Sequence, residues 1–307
     1  MKEITYEFLL PTRVRIVDQS EWSPLKVPSD KGNFLLLKPI PGESTARAIE
    51  TISNEILEVS YSLMRVQVSC NDEEAIPDWQ VPLWLVHRCI EWIRVATRQY
   101  WLGFKWNAVQ SLHGCIQTTV GGEVTIQNFG TAGWPIFPPP LTQDVWKAIG
   151  REIIAGQNPP VSEQFLCDAL ARFHERAYRQ AIVAMGIACE LELNSFIDDL
   201  LCLHHPSTKL LYSQTRFDFR KKFSKIAVAL GASEYPKPTS METILALYEL
   251  RGAVAHRGRC EVDNGQVSRF WFAVEEFFRW TAEERKRIGI KGRPSARADL
   301  SGVYTIG

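Results

Sequence analysis

The sequence predicts an α+β protein: a β-rich N-terminal domain with one or more helices, followed by an all-α helical bundle. Three observations carry this. Apolar runs that alternate, or continue briefly between Pro, Ser, Asp and Gly, fill roughly the first 75 residues and read as strands. The tract Trp134-Pro-Ile-Phe-Pro-Pro-Pro-Leu141 holds consecutive prolines, which forbid helix and sheet pairing and favour a stiff extended connector. Beyond it, nearly every segment carries apolar residues at helical spacing.

Length agrees, since 307 residues exceed the ~100–200 usual for one domain. The expected divisions are 1–133, a β-rich sensor or specificity domain, and 134–160, a Pro-rich linker with a short helix. They continue with 161–287, the helical bundle, and 288–307, a basic tail.

In the first domain, Ile4 to Leu10 and Arg13 to Val17 are strand candidates, and Phe34 to Leu37 is a short buried one. Glu58 to Val68 alternates, with Val59, Tyr61 and Leu63, then Val66 and Val68 after a shift, forming one face. Val81 to Trp101 carries Leu85, Cys89, Trp92, Ile93 and Ala96 at helical spacing. Cys115 to Val120 and Glu123 to Gln127 flank Gly121 and Gly122, a strong hairpin signal.

In the second half, Thr142 to Ala155 forms a first helix, broken by Gln157-Asn-Pro-Pro160. Glu163 to Ala177 and Arg179 to Leu203 follow, with a bend near Tyr178. Phe217 to Leu230 ends at Gly231, which suits a left-handed stop. Thr239 and Glu242 have the spacing of a capping box that opens the next helix. Val267 to Arg287 is dense in aromatics, which points to burial or an interface.

Composition excludes several classes. The chain is 45% hydrophobic and 23% charged with zero net charge, so no global field draws it to nucleic acid or a membrane. Any polyanion must meet a local patch. The opening Met-Lys-Glu-Ile-Thr-Tyr-Glu lacks a secretory apolar core, and no apolar run approaches the ~18–20 residues of a membrane span. A cytoplasmic location without membrane partners is the expectation. Seven scattered cysteines, none in a C-x-x-C pair, read as reduced thiols. Cys202-Leu-His204-His205 has no second ligand pair at zinc spacing, so no metal or cofactor is expected.

The chemistry concentrates in Arg251-Gly-Ala-Val-Ala-His256, at the end of the helix opened by Thr239. Histidine exchanges protons near neutral pH, and arginine's planar fork suits phosphate oxygens. Together they can move a proton and stabilise a phosphoryl charge. Five residues along an ideal helix turn through about 500°, which leaves the two side chains about 140° apart. They meet on one phosphate only if the helix loosens near Gly252 or a second copy completes the site.

Four pieces in order resemble a HEPN domain, an all-helical family that includes many metal-independent ribonucleases. Tyr178 to Glu190 is similar to its second helix, an Ala-rich run leading to an acidic residue. Phe219-Arg-Lys-Lys-Phe-Ser-Lys-Ile-Ala is similar to its lysine-bearing middle helix. Leu247 to Gly258 carries the Arg-x(4–6)-His signature, and a closing helix follows. The resemblance covers about 125 C-terminal residues and departs at Gly252, where the family often has a polar residue, commonly Asn.

The resemblance implies a metal-independent endoribonuclease, of the kind found among toxins and phage-defence effectors, acting as a homodimer through the helical domain. It makes His256 the proton-transfer residue and Arg251 the phosphate stabiliser. Glu190, one residue off the apolar stripe at the margin of burial, is expected to be partnered, with Arg251 as the partner it would orient. Arg220, Lys221, Lys222, Lys225 and Arg257, with Arg216 and Arg259, form the candidate RNA track. An unknown trigger or ligand is expected at the N-terminal domain. Structural alternatives stand beside these roles. His256 is also suited to satisfying helix C-terminal carbonyls, Arg251 to pairing with Glu249 or Glu190, and charged helix faces to simple solvation. The alternative for the whole chain is a non-catalytic dimerisation or scaffold protein with a ligand-binding N-terminal domain. Glu192 is expected to be exposed.

Overall fold

The computed structural model describes residues 2–10, 14, 16, 22–29, 32–49, 56–70, 80–100, 102, 116–120, 123–127, 141–204, 206–208, 212, 218–257 and 261–290. The described residues divide into two units, the first within Met1–Pro159 and the second within Pro160–Arg293.

In the first unit, β5 (Ile56–Cys70) is the central strand. β1 (Lys2–Leu10) runs antiparallel along one edge, from Lys2 opposite Cys70 to Leu10 opposite Ser62. The other edge is shared in tandem by β3 (Gly32–Leu36) and β4 (Ile40–Ile49), with an irregularity between Pro41 and Thr45. β2 (Leu25–Ser29) pairs outside β3.

The alternation of β5 and its neighbours puts Met64, Val66, Val68, Phe34, Leu36 and Leu25 into one buried cluster. α1 (Gln80–Thr97) and α2 (Gln143–Ile154) supply Leu85, Cys89, Ile93, Trp146 and Ile149 to the same cluster. The unit is thus an antiparallel sheet with helices packed on it, an α+β arrangement. The core face of β5 carries Met64, Val66 and Val68, which includes the shifted pair the sequence assigned to it. The side chains of Val59, Tyr61 and Leu63 lie outside the described residues.

All five apolar positions assigned to α1 are buried. The helix ends at Thr97, earlier than expected, where Thr97 Oγ1 donates to the Ile93 carbonyl at 2.6 Å and Arg98 turns to φ +57°. β6 (Ile116–Val120) and β7 (Glu123–Gln127) pair antiparallel up to Val120 opposite Glu123, the register the double glycine implies. Of the Arg13–Val17 candidate, Ile16 bridges Leu141, and Arg13, Arg15 and Val17 lie outside the described residues. The Pro-rich tract before Leu141 lies outside them too.

α2 is capped by Thr142, whose hydroxyl accepts from the Val145 amide at 3.3 Å. The segment expected to act as a linker is therefore, from Gln143 on, part of the first unit's core. Gly150 sits so close to Leu25 that an added Cβ would collide with its methyl groups. The Gln157 carbonyl accepts from Arg88 Nε and Trp92 Nε1, each at 3.1 Å, which ties the end of the unit back to α1.

The second unit is helical. α3 (Val161–His174) and α4 (Tyr178–His204) are separated by a turn in which Arg176 takes φ +59°, a full break rather than a bend. α5, over 219–229, consists of the turns Phe219–Lys221, Lys222–Ile226 and Ala227–Ala229, the middle one π-helical. It stops at Gly231 with φ +100°, as its sequence predicts.

α6 (Pro238–Arg257) begins one residue before Thr239, with Lys237 accepting the first helical hydrogen bond from Met241. Proline at the first helical position needs no amide partner, so Thr239 lies inside the helix and is not its cap. The capping box stands instead on α7 (Asn264–Arg287), between Asp263 and Gln266. The aromatics of α7 mostly face the unit's own core: Phe270, Trp271, Phe277, Phe278 and Trp280 are buried, whereas Phe272 is 47% exposed.

α4 packs against α3, α6 and α7, so it is covered on more than one side. Its stripe Ile182, Met185, Cys189, Leu193, Phe196 and Leu200 is buried as expected. Glu192 corrects the expectation of exposure, because it is only 1% exposed. Glu192 stands at the margin of the apolar stripe, about 60° from its centre, and groups from α3 and α7 meet its carboxylate there. Ser162 Oγ donates to Glu192 at 2.8 Å, Thr281 Oγ1 at 2.9 Å, and Arg285 forms an ion pair with it. Arg285 also binds Asp199 at 2.7 Å. Burial opposes its charge, but these carboxylates raise its pKa above the ordinary arginine value.

Among the described residues one helix, α4, is long and apolar enough to cross a membrane, and most of that stretch is buried inside the protein.

Candidate functional site

The second unit brings α4, α5 and α6 together around one row of side chains. Gly186, Glu190 and Asn194 lie four residues apart on α4 and so share a face. Gly186 makes room for the motif arginine: a Cβ there would sit 2.7 Å from Arg251 Cδ. Arg251 Nη1 donates to Glu190 Oε2 at 2.8 Å, and the side chains are 27% and 36% exposed. Of the two carboxylates the sequence offered to Arg251, Glu190 takes it, while Glu249 accepts from Arg220 at 3.4 Å.

An aromatic floor supports the guanidinium. Its carbon lies 5.6 Å from the Tyr248 ring centroid, and Tyr248 stacks on Phe219 with centroids 4.9 Å apart and planes 12° from parallel. Planar guanidinium groups favour such faces, which hold the fork in orientation while one edge stays accessible.

His256 belongs to the last turn of α6, and its side chain lies outside the described residues. The side chains of Arg257, Arg216 and Arg259 also lie outside them. α6 continues through Gly252 without a break, so the local loosening that would let Arg251 and His256 converge is not used. Gly252 faces open space, with nothing within 4 Å of an added Cβ.

The proposed cation track separates into different environments. Lys221 lies 3.6 Å from Asp218, whose carboxylate also caps the Lys221 amide at 2.7 Å. That backbone hydrogen bond holds the Asp218 carboxyl below its ordinary range. Arg220 shares its charge with Glu249, and Lys225 is exposed. Lys222 differs: its ammonium donates to the neutral Asn194 Oδ1 at 2.7 Å and lies 6.0 Å from the Tyr212 ring centroid. Burial, assisted by Asp198, pushes the Tyr212 hydroxyl up to about 12.

Sequence reasoning missed Gly186, Asn194 and Tyr248. The four-residue spacing from Glu190 was a visible signal for the first two, and Tyr248 stands three residues before Arg251 on one helix face.

Among the described residues no group of three or more His, Cys, Asp and Glu is placed to hold a metal ion. Cys202 is an exposed free thiol, whereas burial pushes the Cys89 and Cys189 thiols up and keeps them neutral and unreactive. No protein-family model, curated protein or solved structure matches the chain.

Proposed function

We propose that the chain is a metal-independent endoribonuclease whose helical unit is of the HEPN type and whose N-terminal unit responds to a trigger or ligand. One observation carries the proposal: the motif arginine is held at 2.8 Å by Glu190 from a neighbouring helix and keeps partial exposure, on the same helix that carries His256. A phosphate-stabilising arginine needs that combination of orientation and access.

In this reading His256 takes the proton of a ribose 2′-hydroxyl, or supplies one to the leaving 5′-oxygen. The 2′-oxygen attacks phosphorus, the bond to the 5′-oxygen breaks, and Arg251 stabilises the charge on the equatorial oxygens. The products are a 2′,3′-cyclic phosphate and a 5′-hydroxyl. Because α6 is unbroken between the two residues, a second copy is the route by which both functions meet on one phosphate. The burial of most α7 aromatics moves the dimer contact away from those side chains. A toxin or phage-defence role in the cytoplasm belongs to the same reading and rests on the resemblance of motif alone.

The scaffold alternative is favoured by one feature, that Glu190 already neutralises Arg251 as a structural partner would. The deciding experiment is cleavage of a mixed RNA pool by His256→Ala and Arg251→Ala, with thermal melts alongside. Each is expected to lose at least ~10²-fold in rate while melting normally. Wild-type cleavage by His256→Ala would establish the scaffold reading instead.

A further inference from the structure

The geometry points to Lys222 as a phosphate-binding lysine, placed one α4 turn from Arg251 to receive the adjacent phosphate of a single-stranded RNA. The inference rests on the ribonuclease reading and adds to it a specific second contact. Its basis is a contrast in charge compensation. Arg251, Arg220 and Lys221 each face a carboxylate, on Glu190, Glu249 and Asp218 respectively. Lys222 faces an amide, and among the described residues no carboxylate pairs with it.

The neighbours that position the two cations, Glu190 and Asn194, stand four residues apart on α4, about 6 Å along the axis. Lys222 opens the π-helical turn of α5, the part of that helix that packs against α4. Such turns rotate the following side chains out of the regular helical sequence and recur at functional sites. A half-buried ammonium held by a neutral acceptor keeps its full charge for an incoming anion. The same ammonium facing a carboxylate would have to give up that partner first.

The distinguishing variant is Asn194→Asp, which gives Lys222 a carboxylate in place of the amide. For a structural lysine this change strengthens the tie between α4 and α5 and leaves RNA affinity unmoved. For a phosphate-binding lysine it competes with the ligand. The measurement is fluorescence anisotropy of a labelled 2′-O-methyl oligouridine on the full chain over a salt series. This probe has no free 2′-hydroxyl and is not cut by the proposed route.

Lys222→Gln and Asn194→Asp are each expected to weaken binding about tenfold, the scale of one charge-assisted contact. Lys222→Gln should also lower the slope of log affinity against log salt by about 0.7. Lys147→Gln, an exposed lysine of the first unit, serves as the control for loss of one charge. Affinity within twofold of wild type for both Lys222→Gln and Asn194→Asp overturns the inference, as does a wild-type chain that does not bind the probe. If binding depends on Lys222 but His256→Ala cleaves normally, the phosphate site stands and the ribonuclease reading falls. If His256→Ala abolishes cleavage while both variants bind normally, the inference alone falls.

Discussion

Glu190 and Arg251 are 61 residues apart in the chain and 2.8 Å apart in space, and their hydrogen bond joins α4 to the helix that ends in His256. The pair is partly exposed, so its worth to stability is small, about 0–1 kcal/mol. Its worth to orientation is testable. Glu190→Gln keeps an acceptor and is expected to retain more cleavage than Glu190→Ala, with closely similar melts for both. Equal loss in the two variants would assign Glu190 a role through its charge instead.

The two glycines flanking the arginine are expected to behave oppositely. Gly186→Ala places a methyl against Arg251 and should displace the guanidinium, reducing cleavage more than it reduces stability. Gly252→Ala enters open space within a helix and should stabilise by roughly 0.5–1 kcal/mol. Urea midpoints and cleavage rates of both variants check this, and a destabilised Gly252→Ala would contradict the open face.

Glu192 and Arg285 form the buried ion pair of the second unit. Removing Glu192 leaves buried Arg285 with Asp199 as its remaining carboxylate and takes the acceptor from the Ser162 and Thr281 hydroxyls, so Glu192→Ala should destabilise that unit by up to about 3–5 kcal/mol. The double substitution Glu192→Met with Arg285→Met should recover most of the loss, since apolar replacement of both removes the burial penalty. Denaturant titration followed by tryptophan fluorescence distinguishes the two outcomes.

Two carboxylates tie the loop before α6 to α7 and predict the acid limb of stability. Burial works against the charge of Glu284, but hydrogen bonds from Arg287 and the Ser233 amide hold its carboxyl below the ordinary value. Burial likewise opposes Glu276, which Lys237 and Ser240 hold low. A carboxyl lowered on folding contributes stability that is fully present above the ordinary glutamate value of ~4.3 and is lost as pH falls through the lowered one. Glu284→Gln and Glu276→Gln should therefore flatten the loss of stability on acidification below that value, and unchanged acid limbs would refute the assignment.

If Arg251 and His256 act on one phosphate as proposed, an unbroken α6 that sets them apart on one helix requires a dimer through the helical unit. Sedimentation at micromolar concentration, with and without RNA, is expected to show it. A monomer under both conditions counts against the shared site. Cleavage is also expected to survive EDTA, and a requirement for added magnesium or manganese would replace the proposed chemistry.

Several features were determined by local sequence. Thr142 caps α2 and Gly231 stops α5 because one residue's side chain or left-handed backbone satisfies the helix end by itself. The apolar stripe of α4 needs only its period, and the β6–β7 hairpin only its two central glycines between β-branched runs. What depended on several elements meeting was decided by tertiary structure. Glu192 looked solvated because it is a charged residue at the margin of the apolar stripe, and only the packing of α3 and α7 extends burial over it. The α7 aromatics looked available for an interface until the bundle buried them. Arg251 had two candidate carboxylates within reach in sequence terms, and the close approach permitted by Gly186 gave it to Glu190. Lys222 was one of a run of cations, and only the packing of the π-helical turn against α4 set it on Asn194. Periodicity and caps act within a few residues, so sequence alone determines them; partners across helices depend on which faces pack, a choice made by the whole core at once.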